Sequence, residues 1–328
     1  MAVPVLLVSH PDCARHDTGP EHLETALRLS ALRAALNADA TLLGAVQEVV
    51  GAPAAEADLL RVHSRQHVQR VRRAARAARR QGLVWLEADT PVSQGSWDAA
   101  LAAAGCAAQA AELVVSGAAT RAFALVRPPG HHAFRDRAMG FCLFNNAAVA
   151  VRRLQAEGRV GRVLVVDCDA HHGNGTQELF YGDPSVYALS LHFSPGYPDS
   201  GAPDERGAGV GLGTTRNVPL PHGTGGTDYL ARFAEALAAV RDEFEPELVV
   251  LALGLDVLAG DPEGHLLLEP IDLHRLVSDL LRAMPSSARG RLVTLLEGGY
   301  AVERIGPGFA QVLRAMAELP PADGAGPT

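Results

Sequence analysis

Short apolar runs that end in polar or glycine-rich residues are the feature that most constrains the fold of this chain. Each run is four to six residues long, and the five clearest are Ala122–Val126, Val163–Val166, Val186–Leu191, Leu248–Leu253 and Leu292–Leu296. Continuous apolar runs of this length predict strands that are buried on both faces. We also interpret the short apolar run near the N-terminus as a first buried strand, because it lacks the charged segment that precedes a signal peptide's apolar region.

Segments rich in Ala, Leu and Arg lie between these runs and have helical spacing. The clearest are Gly95–Val115, Asn145–Glu157, Asp228–Glu243 and Asp272–Met284. Alternation of buried strands with amphipathic helices predicts an α/β fold, with a mostly parallel sheet covered by helices on both sides.

The length of the chain permits one large domain. It has 328 residues, of which 48% are hydrophobic, which is enough to form a buried core. The sequence contains neither an internal repeat nor a linker that would divide it. We therefore predict a single domain over residues 1–318 and a disordered tail over residues 319–328, which contain PPADGAGPT.

Charge and cysteine content exclude several functional classes. A net charge of −8 disfavours general nucleic-acid binding and favours cationic ligands. No apolar run approaches the length that spans a bilayer, so we expect no membrane partner. The four cysteines form no CxxC pair, which is simplest to explain in a reduced, cytoplasmic setting.

Two further stretches favour structural interpretations. The basic segment Arg61–Gly82 is typical of the solvated face of an Ala/Arg helix, the alternative being a helix that docks on phosphate. The glycine-rich segment Gly207–Gly213 does not follow a strand and open a helix with the spacing of a dinucleotide loop, so we interpret it as a structural loop.

The segments that carry the most chemistry all follow the carboxyl ends of predicted strands. They are RPPGHH, DCDAHH, GLD and EGGY. Ligands of open α/β sheets bind at this edge. These four segments are therefore expected to meet at one crevice although they are far apart in sequence.

The segment VDCDAHHGNGTQ, residues 166–177, predicts a metal site. Side chains two residues apart in an extended segment point the same way, so Asp167, Asp169 and His171 would share one face. A catalytic zinc ion usually has three protein ligands and one open position. Asp169 and His171 supply two, and Asp256 in GLD is the best third. The alternative is an ordinary helix-capping Asp beside a buried histidine.

Two further motifs suggest catalytic groups. His131 and His132 follow Arg127–Gly130, a proline-rich turn that would fix their position, and a neighbouring histidine could serve as general base. The alternative is a chance pair of surface histidines. Tyr300 follows two glycines that let the backbone approach the site, and its phenol could donate a hydrogen bond to a carbonyl oxygen.

At this level of detail the chain resembles a known family. RPPGHHA, GFCLFNNAAVA, VDCDAHHGNGTQ, LSLH, GLDVLAGDPEG and LEGGY, in this order, are similar to motifs of the zinc-dependent histone deacetylase family. That family includes bacterial histone-deacetylase-like amidohydrolases and acetylpolyamine amidohydrolases. The resemblance extends from DTGPEH to LEGGY. It implies an arginase–deacetylase fold around a largely parallel, eight-stranded sheet, and hydrolysis of an N-acetyl amide to acetate and a free amine.

The resemblance also implies roles for particular residues. Zn²⁺, or Fe²⁺ in its place, would be held by Asp169, His171 and Asp256. The catalytic positions are His131, His132, Tyr300, Asp167 and Asn174, with His132 as general base and acid, Asp167 behind His131 and Asn174 behind His132. The substrate-binding positions are Asp89, Gly140, Phe141, Tyr197 and Glu263. A structural K⁺ or Na⁺ would lie near Asp167, Asp169, His171, Ser190 and Leu191.

The substrate is the least determined part of the prediction. Glu263 lies seven residues after Asp256 and resembles the gatekeeper of polyamine deacetylases. Together with Asp89 it favours a small cationic acetylated amine, an acetylpolyamine, over an acetyl-lysine peptide. A non-catalytic acyl-lysine or polyamine binding protein and a binuclear manganese hydrolase are the remaining alternatives.

Two departures from the family pattern limit what carries over. Leu23 stands where the family usually has proline, which affects local loop geometry. The segment from His63 to Asp89 lacks the long insertion that builds the dimer of typical acetylpolyamine amidohydrolases. Dimerisation by that route is not expected, and the sequence leaves the oligomeric state open.

Overall fold

The structure, a computed structural model, describes residues 4–322 and contains a central parallel sheet. The strands are β1 Val5–Ser9, β2 Val46–Val50, β3 Val84–Glu87, β4 Thr90–Val92, β5 Arg121–Ala124, β6 Val163–Asp167, β7 Val186–Phe193, β8 Thr215–Leu220, β9 Leu248–Leu253 and β10 Leu292–Leu296. Eight of them form one sheet in the order β2-β1-β5-β10-β9-β6-β7-β8. The other two, β3 and β4, form an antiparallel hairpin.

The predicted eight-stranded sheet is confirmed, and every pairing in it is parallel. All residues of β1, β5, β6, β7, β9 and β10 are buried. Because neighbouring side chains in a strand point to opposite faces, both faces of the sheet must be covered.

The helices are α1 Leu27–Ala38, α2 Ala40–Ala45, α3 Glu56–Leu59, α4 Arg65–Gln81, α5 Ser96–Val115, α6 Asn146–Ala156, α7 Asn174–Phe180, α8 Gly226–Glu243, α9 Pro270–Ala283 and α10 Val302–Met316. The four helices predicted from the sequence agree with α5, α6, α8 and α9 to within two residues at each end. The helices of the fold include two packed groups. In one group α10 contacts α1, α2 and α9, and in the other α5 contacts α4 and α6.

The expectation that no segment is long and apolar enough to span a bilayer is corrected by helix α5, which has 20 residues and meets both conditions by length and composition. In the fold it packs against α6, β1 and β5, so its apolar side chains contribute to the core.

The stretches interpreted as structural have ordinary surroundings. The basic segment contains α4, which buries Val68, Val71 and three of its four alanines, while six of its seven arginines are exposed. The glycine-rich segment holds a short 3₁₀ helix and leads into β8, so it opens no α-helix.

The chain remains in contact with the body of the protein beyond α10. The carbonyl of Leu319 accepts a hydrogen bond from His274 Nε2 at 2.9 Å, and that of Pro320 accepts one from Arg314 at 2.8 Å. The part of the predicted tail at residues 319–322 is thus held by hydrogen bonds. The rest of that prediction falls on residues 323–328, outside the described residues.

The strand order explains why the chemically loaded motifs converge. β5, β10, β9, β6 and β7 are consecutive neighbours in the sheet, although they are far apart in the chain. Their carboxyl ends carry RPPGHH, EGGY, GLD, DCDAHH and the segment after LSLH. Because all strands run the same way, these ends meet at one edge of the sheet.

Candidate active site

Asp169, His171 and Asp256 form a buried cluster at this edge. One potential ligand atom from each lies within 4.8 Å of the other two. His171 Nδ1 is 3.1 Å from Asp169 Oδ1 and 3.4 Å from Asp256 Oδ2. Ligands placed about 2 Å from one ion at tetrahedral angles would be separated by about 3.3 Å, so the three groups fit a zinc ion.

The surrounding hydrogen bonds leave this cluster open for a cation. The amides of Gly298 and Ala170 donate to Asp169 Oδ2 and Asp256 Oδ1, at 2.8 and 2.9 Å. Within residues 4–322, no group donates to the buried Asp256 Oδ2. Burial and the charge of Asp169 raise the pKa of Asp256 to about 7. Two buried carboxylates lie close together here, and one of their oxygens has no hydrogen-bond donor in the described part of the chain. A dication would stabilise such a pair.

Two glycines make room for these carboxylates. A Cβ atom on Gly298 would lie 2.1 Å from Asp256 Oδ2, and one on Gly254 would lie 2.3 Å from Asp169 Oδ2. The glycines in GLD and EGGY therefore occur where the backbone passes directly beside the metal cluster.

His131 and His132 are adjacent in the buried site, with ring centroids 3.9 Å apart. His131 Nδ1 is 3.1 Å from Asp167 Oδ2, and His132 Nδ1 is 2.8 Å from Asn174 Oδ1. A carboxylate and an amide oxygen only accept, so each Nδ1 carries a hydrogen. The Nε2 atom of each ring is then left as the basic nitrogen.

The two histidines differ in their electrostatic environment. Burial opposes charge on His131, but Asp169 and Asp167 outweigh it and raise the pKa of His131 well above its usual value. Burial and the neighbouring His131 and His171 rings lower the pKa of His132 well below its usual value. His132 is therefore the neutral member of the pair and the better proton acceptor at Nε2.

Tyr300 lies in the same cavity and is fixed from several sides. Burial raises the pKa of its phenol well above the usual value, so the phenol stays protonated and able to donate. Its ring lies edge-on to Phe141 at 5.7 Å, and the Arg28 guanidinium is 5.1 Å from the ring centroid. Asp261 Oδ2 accepts a hydrogen bond from the Tyr300 amide at 2.7 Å.

A cavity of about 400 Å³ leads to this site. The five residues predicted to bind substrate all line it, together with His132, His171 and Tyr300; those five are Asp89, Gly140, Phe141, Tyr197 and Glu263. Tyr197 is edge-on to the His132 ring at 5.3 Å. The structure thus brings the five predicted substrate-binding positions into one pocket with two of the predicted catalytic positions, His132 and Tyr300.

Several residues at this site were missed from the sequence. The cavity mouth is also lined by Glu21, His22, Leu23 and Trp85. Trp85 lies on the β3–β4 hairpin, which no buried apolar run marks, and is 52% exposed. Glu21, His22 and Leu23 stand in the quoted DTGPEH segment and beside it, so their place in the resemblance was the only signal for them.

Buried ionic supports were also missed. Glu297 Oε2 accepts hydrogen bonds from the amides of Gly130 and His131 at 2.7 and 3.1 Å, which ties EGGY to the tandem-histidine turn. Arg127 binds the buried Glu24 through both carboxylate oxygens, at 2.5 and 2.7 Å. Arg127 and Glu297 stand in quoted motifs, but their partners depend on tertiary packing.

Two of the residues predicted to bind a monovalent cation, Asp169 and His171, belong to the metal cluster, and Asp167 lies two residues before Asp169. Asp167 is the register partner of Ser190 on the neighbouring strand β7, and Leu191 follows it. Asp167 Oδ1 accepts from the Asp169 amide at 3.1 Å, so the two carboxylates are joined through the backbone. A K⁺ or Na⁺ ion there stays a prediction.

Comparison with known proteins agrees with this geometry. Residues 22–316 match the family described as Histone deacetylase domain. A "Probable deacetylase" of Archaeoglobus fulgidus is 36% identical over 299 residues, which cover 90% of this chain and 81% of that protein. A "Histone deacetylase-like amidohydrolase" of Pseudomonas aeruginosa is 38% identical over 304 residues, covering 90% of this chain and 75% of that protein.

A solved structure supports the same assignment of fold. The crystal structure of the HDA15 HD domain superimposes with a TM-score of 0.90 and 33% sequence identity, covering 98% of this chain and 91% of that one. The match spans the sheet and the loops that carry the metal cluster and the tandem histidines.

Proposed function

The chain belongs to the histone deacetylase family, and from that premise we propose that it is a zinc-dependent amidohydrolase that releases acetate from N-acetylated amines. The observation that carries the proposal is the placement of Asp169, His171 and Asp256, whose ligand atoms lie within 4.8 Å of one another. Of these three residues, His171 lines a cavity that is also lined by His132 and Tyr300. A residue of the ligand cluster, a general base and a hydrogen-bond donor thus face one pocket.

A bound divalent ion would supply a Lewis acid that polarises the amide carbonyl and acidifies water. The residues of the chain provide the proton transfers and the orientation. His132 accepts a proton from the attacking water at Nε2, because its Nδ1–H is held by Asn174. It returns that proton to the leaving amine. The Tyr300 phenol donates a hydrogen bond to the carbonyl oxygen as negative charge develops there.

His131 stabilises this arrangement without being the base. Its Nδ1–H donates to Asp167, and its Nε2 lies 3.8 Å from Asp169 Oδ1. Positive charge on this ring would offset the negative charge of the Asp167 and Asp169 carboxylates. Burial and this charge together keep the pKa of His132 low, which maintains His132 as a proton acceptor.

We favour acetylpolyamines as substrates, with acetyl-lysine peptides as the alternative. Three carboxylates line the cavity mouth, from Glu21, Asp89 and Glu263, beside the exposed indole of Trp85. Carboxylates and an aromatic face are the groups that attract an ammonium ion. Exposed charge pairs contribute roughly 0.2–1 kcal/mol each, so the preference for a second ammonium is expected to be modest.

Zinc-loaded protein assayed for acetate release tests the proposal. We expect kcat/KM for N-acetylspermidine and N-acetylputrescine to exceed that for an acetyl-lysine peptide of similar length. A reversed order would assign the site to peptide deacetylation. Stoichiometric zinc binding with no acetate release from any of the three would instead support a non-catalytic binding protein.

A further inference from the structure

The two aromatic walls of the cavity are joined by a chain of hydrogen bonds across its mouth. The Phe141 amide donates to Thr90 Oγ1 at 3.2 Å, and Thr90 Oγ1 donates to Asp89 Oδ1 at 2.6 Å. From the other wall, the Tyr197 hydroxyl donates to Asp89 Oδ2 at 3.1 Å. Asp89 thus accepts one hydroxyl on each carboxylate oxygen and connects Phe141 to Tyr197. We name these four residues the mouth bridge.

The backbone of Phe141 needs such a connection. Its φ is +66°, a left-handed conformation that residues with a side chain rarely adopt. The preceding Gly140 also has a positive φ, and a Cβ there would lie 2.3 Å from His132 Cδ2 and 3.0 Å from the Tyr197 hydroxyl. The turn therefore passes tightly between the general base and the opposite wall, and the hydrogen bond to Thr90 fixes its amide.

The donor on the Tyr197 side is secure at all ordinary pH values. Burial and the adjacent charge of Asp89 raise the pKa of the Tyr197 phenol well above its usual range. The hydroxyl therefore keeps its proton and donates it to the carboxylate. A phenylalanine at this position would provide the same wall but no donor.

The backbone carbonyl of Asp89 is also held by a neighbouring side chain. His22 Nε2 lies 3.2 Å from the Asp89 carbonyl, and the His22 ring is edge-on to Phe141 at 4.7 Å. Each carboxylate oxygen of Asp89 has two lone pairs, so one hydroxyl on each leaves acceptor capacity for a ligand. The carboxylate lines the cavity and can accept an amide or ammonium hydrogen without reorienting.

We propose that Thr90 and Tyr197 are positioning residues that hold Asp89 as a preorganised acceptor at the cavity mouth and so determine affinity for the part of the substrate beyond the scissile amide. The inference rests on the proposed function and deepens it at the same site. Preorganisation lowers the ordering cost of binding, so its loss is expected in KM more than in kcat.

Kinetics on two substrates test this role. In Tyr197→Phe and Thr90→Val we expect KM for N-acetylspermidine to rise about 10-fold relative to any change for N-acetylmethylamine, which has no distal group. Changes in kcat should be smaller than changes in KM for the long substrate. Tyr181→Phe, which removes a hydroxyl outside this cavity, is the matched control.

A double-mutant cycle separates positioning from wall packing. If Tyr197 acts through Asp89, then Tyr197→Phe should add little to the KM of Asp89→Asn. Fully additive effects, or equal KM changes on the long and short substrates, would overturn the proposal.

Hydrogen–deuterium exchange of the free, zinc-loaded protein gives a readout that needs no turnover. Thr90→Val should speed exchange of the Phe141 amide, and Tyr197→Phe should speed exchange in the segment around Asp89. Unchanged exchange in both variants would show that the mouth bridge does not hold these segments, even if the enzyme is active. If no substrate released acetate, the proposed function would be rejected, but the exchange measurement would still test the mouth bridge.

Discussion

The carboxylate of Asp261 holds the backbone of Tyr300. Its Oδ2 accepts hydrogen bonds from the amides of Tyr300 and Ala301 at 2.7 and 3.0 Å, across a separation of 39 and 40 residues. Its Oδ1 accepts from the amides of Glu263 and Gly264 at 3.0 and 3.2 Å. One buried side chain thus connects Tyr300 to the loop that carries Glu263.

Substitution Asp261→Ala should therefore lower kcat and alter substrate preference together. Removal of one oxyanion donor, as in Tyr300→Phe, costs on the order of 10²–10³ in kcat. We expect Asp261→Ala to lose about 10-fold or more, because the phenol remains but is no longer held. The measurement is kcat on N-acetylspermidine, with the half-buried Asp279→Ala, whose carboxylate pairs with Arg282, as control. A wild-type kcat would show that Arg28 and Phe141 suffice to orient Tyr300.

The metal cluster makes a stoichiometric prediction. We expect one divalent ion per chain in wild type and loss of both metal and activity in Asp256→Ala, because this substitution removes one of three ligands in an open site. Elemental analysis after dialysis against a weak chelator measures the metal. Full zinc retention by Asp256→Ala would exclude Asp256 as a ligand, whatever its effect on activity.

The proton transfer predicted for His132 separates from metal binding. His132→Ala should lose about 10²–10⁴ in kcat while it keeps one zinc ion, since the ring is not part of the ligand cluster. A variant that loses zinc as well would indicate a structural role. Near-normal turnover at neutral pH would show that another group accepts the proton.

Substrate choice is expected to depend on Glu263. Its side chain lines the mouth of the cavity, where a second ammonium group of the substrate would lie. Glu263→Leu should lower kcat/KM for N-acetylspermidine about three- to five-fold, as for an exposed charge pair, and spare or raise that for an acetyl-lysine peptide. Glu263→Gln serves as the isosteric control. Equal changes in kcat/KM on both substrates would show that Glu263 does not determine substrate specificity.

Folding stability should fall in acid partly because of His63. Burial lowers the pKa of His63 to about 3, and both nitrogens are used, Nδ1 toward the Phe134 carbonyl and Nε2 as acceptor from the Asn145 amide. Below the unfolded pKa of about 6.5, the unfolded chain binds a proton that the folded protein does not. Stability then falls by up to about 1.4 kcal/mol per pH unit as the pH drops from 6.5 toward 3.

Urea denaturation at pH 7 and pH 5 measures this loss. We expect His63→Gln to lose about 2 kcal/mol less than wild type between these values, with the exposed His222→Gln as control. An identical loss in wild type and His63→Gln would mean that His63 has the same protonation state in the folded and the unfolded protein. That result would contradict the predicted linkage.

The sequence by itself predicted strands β1, β5, β6, β7, β9 and β10, helices α5, α6, α8 and α9, and the identity of the chemistry-bearing motifs. Runs such as Leu248–Leu253 predict buried strands, because they are short and their side chains are apolar on both faces, and the fold confirms this strand. Parallel strands place their carboxyl ends at one edge, so the convergence of Asp169 and Asp256 followed from pattern alone. The family resemblance added the individual roles and the eight-stranded sheet, which the fold confirmed.

Tertiary structure alone decided which partner each buried polar group has. Asp261 with Tyr300, Glu297 with the Gly130 amide and Asp89 with Tyr197 pair groups that are 39, 167 and 108 residues apart. No periodicity encodes such pairs, because a hydrogen bond depends on distances of a few tenths of an ångström that only the packed loops define. The sequence therefore determined which residues reach the site, whereas packing decided how each of them is held there.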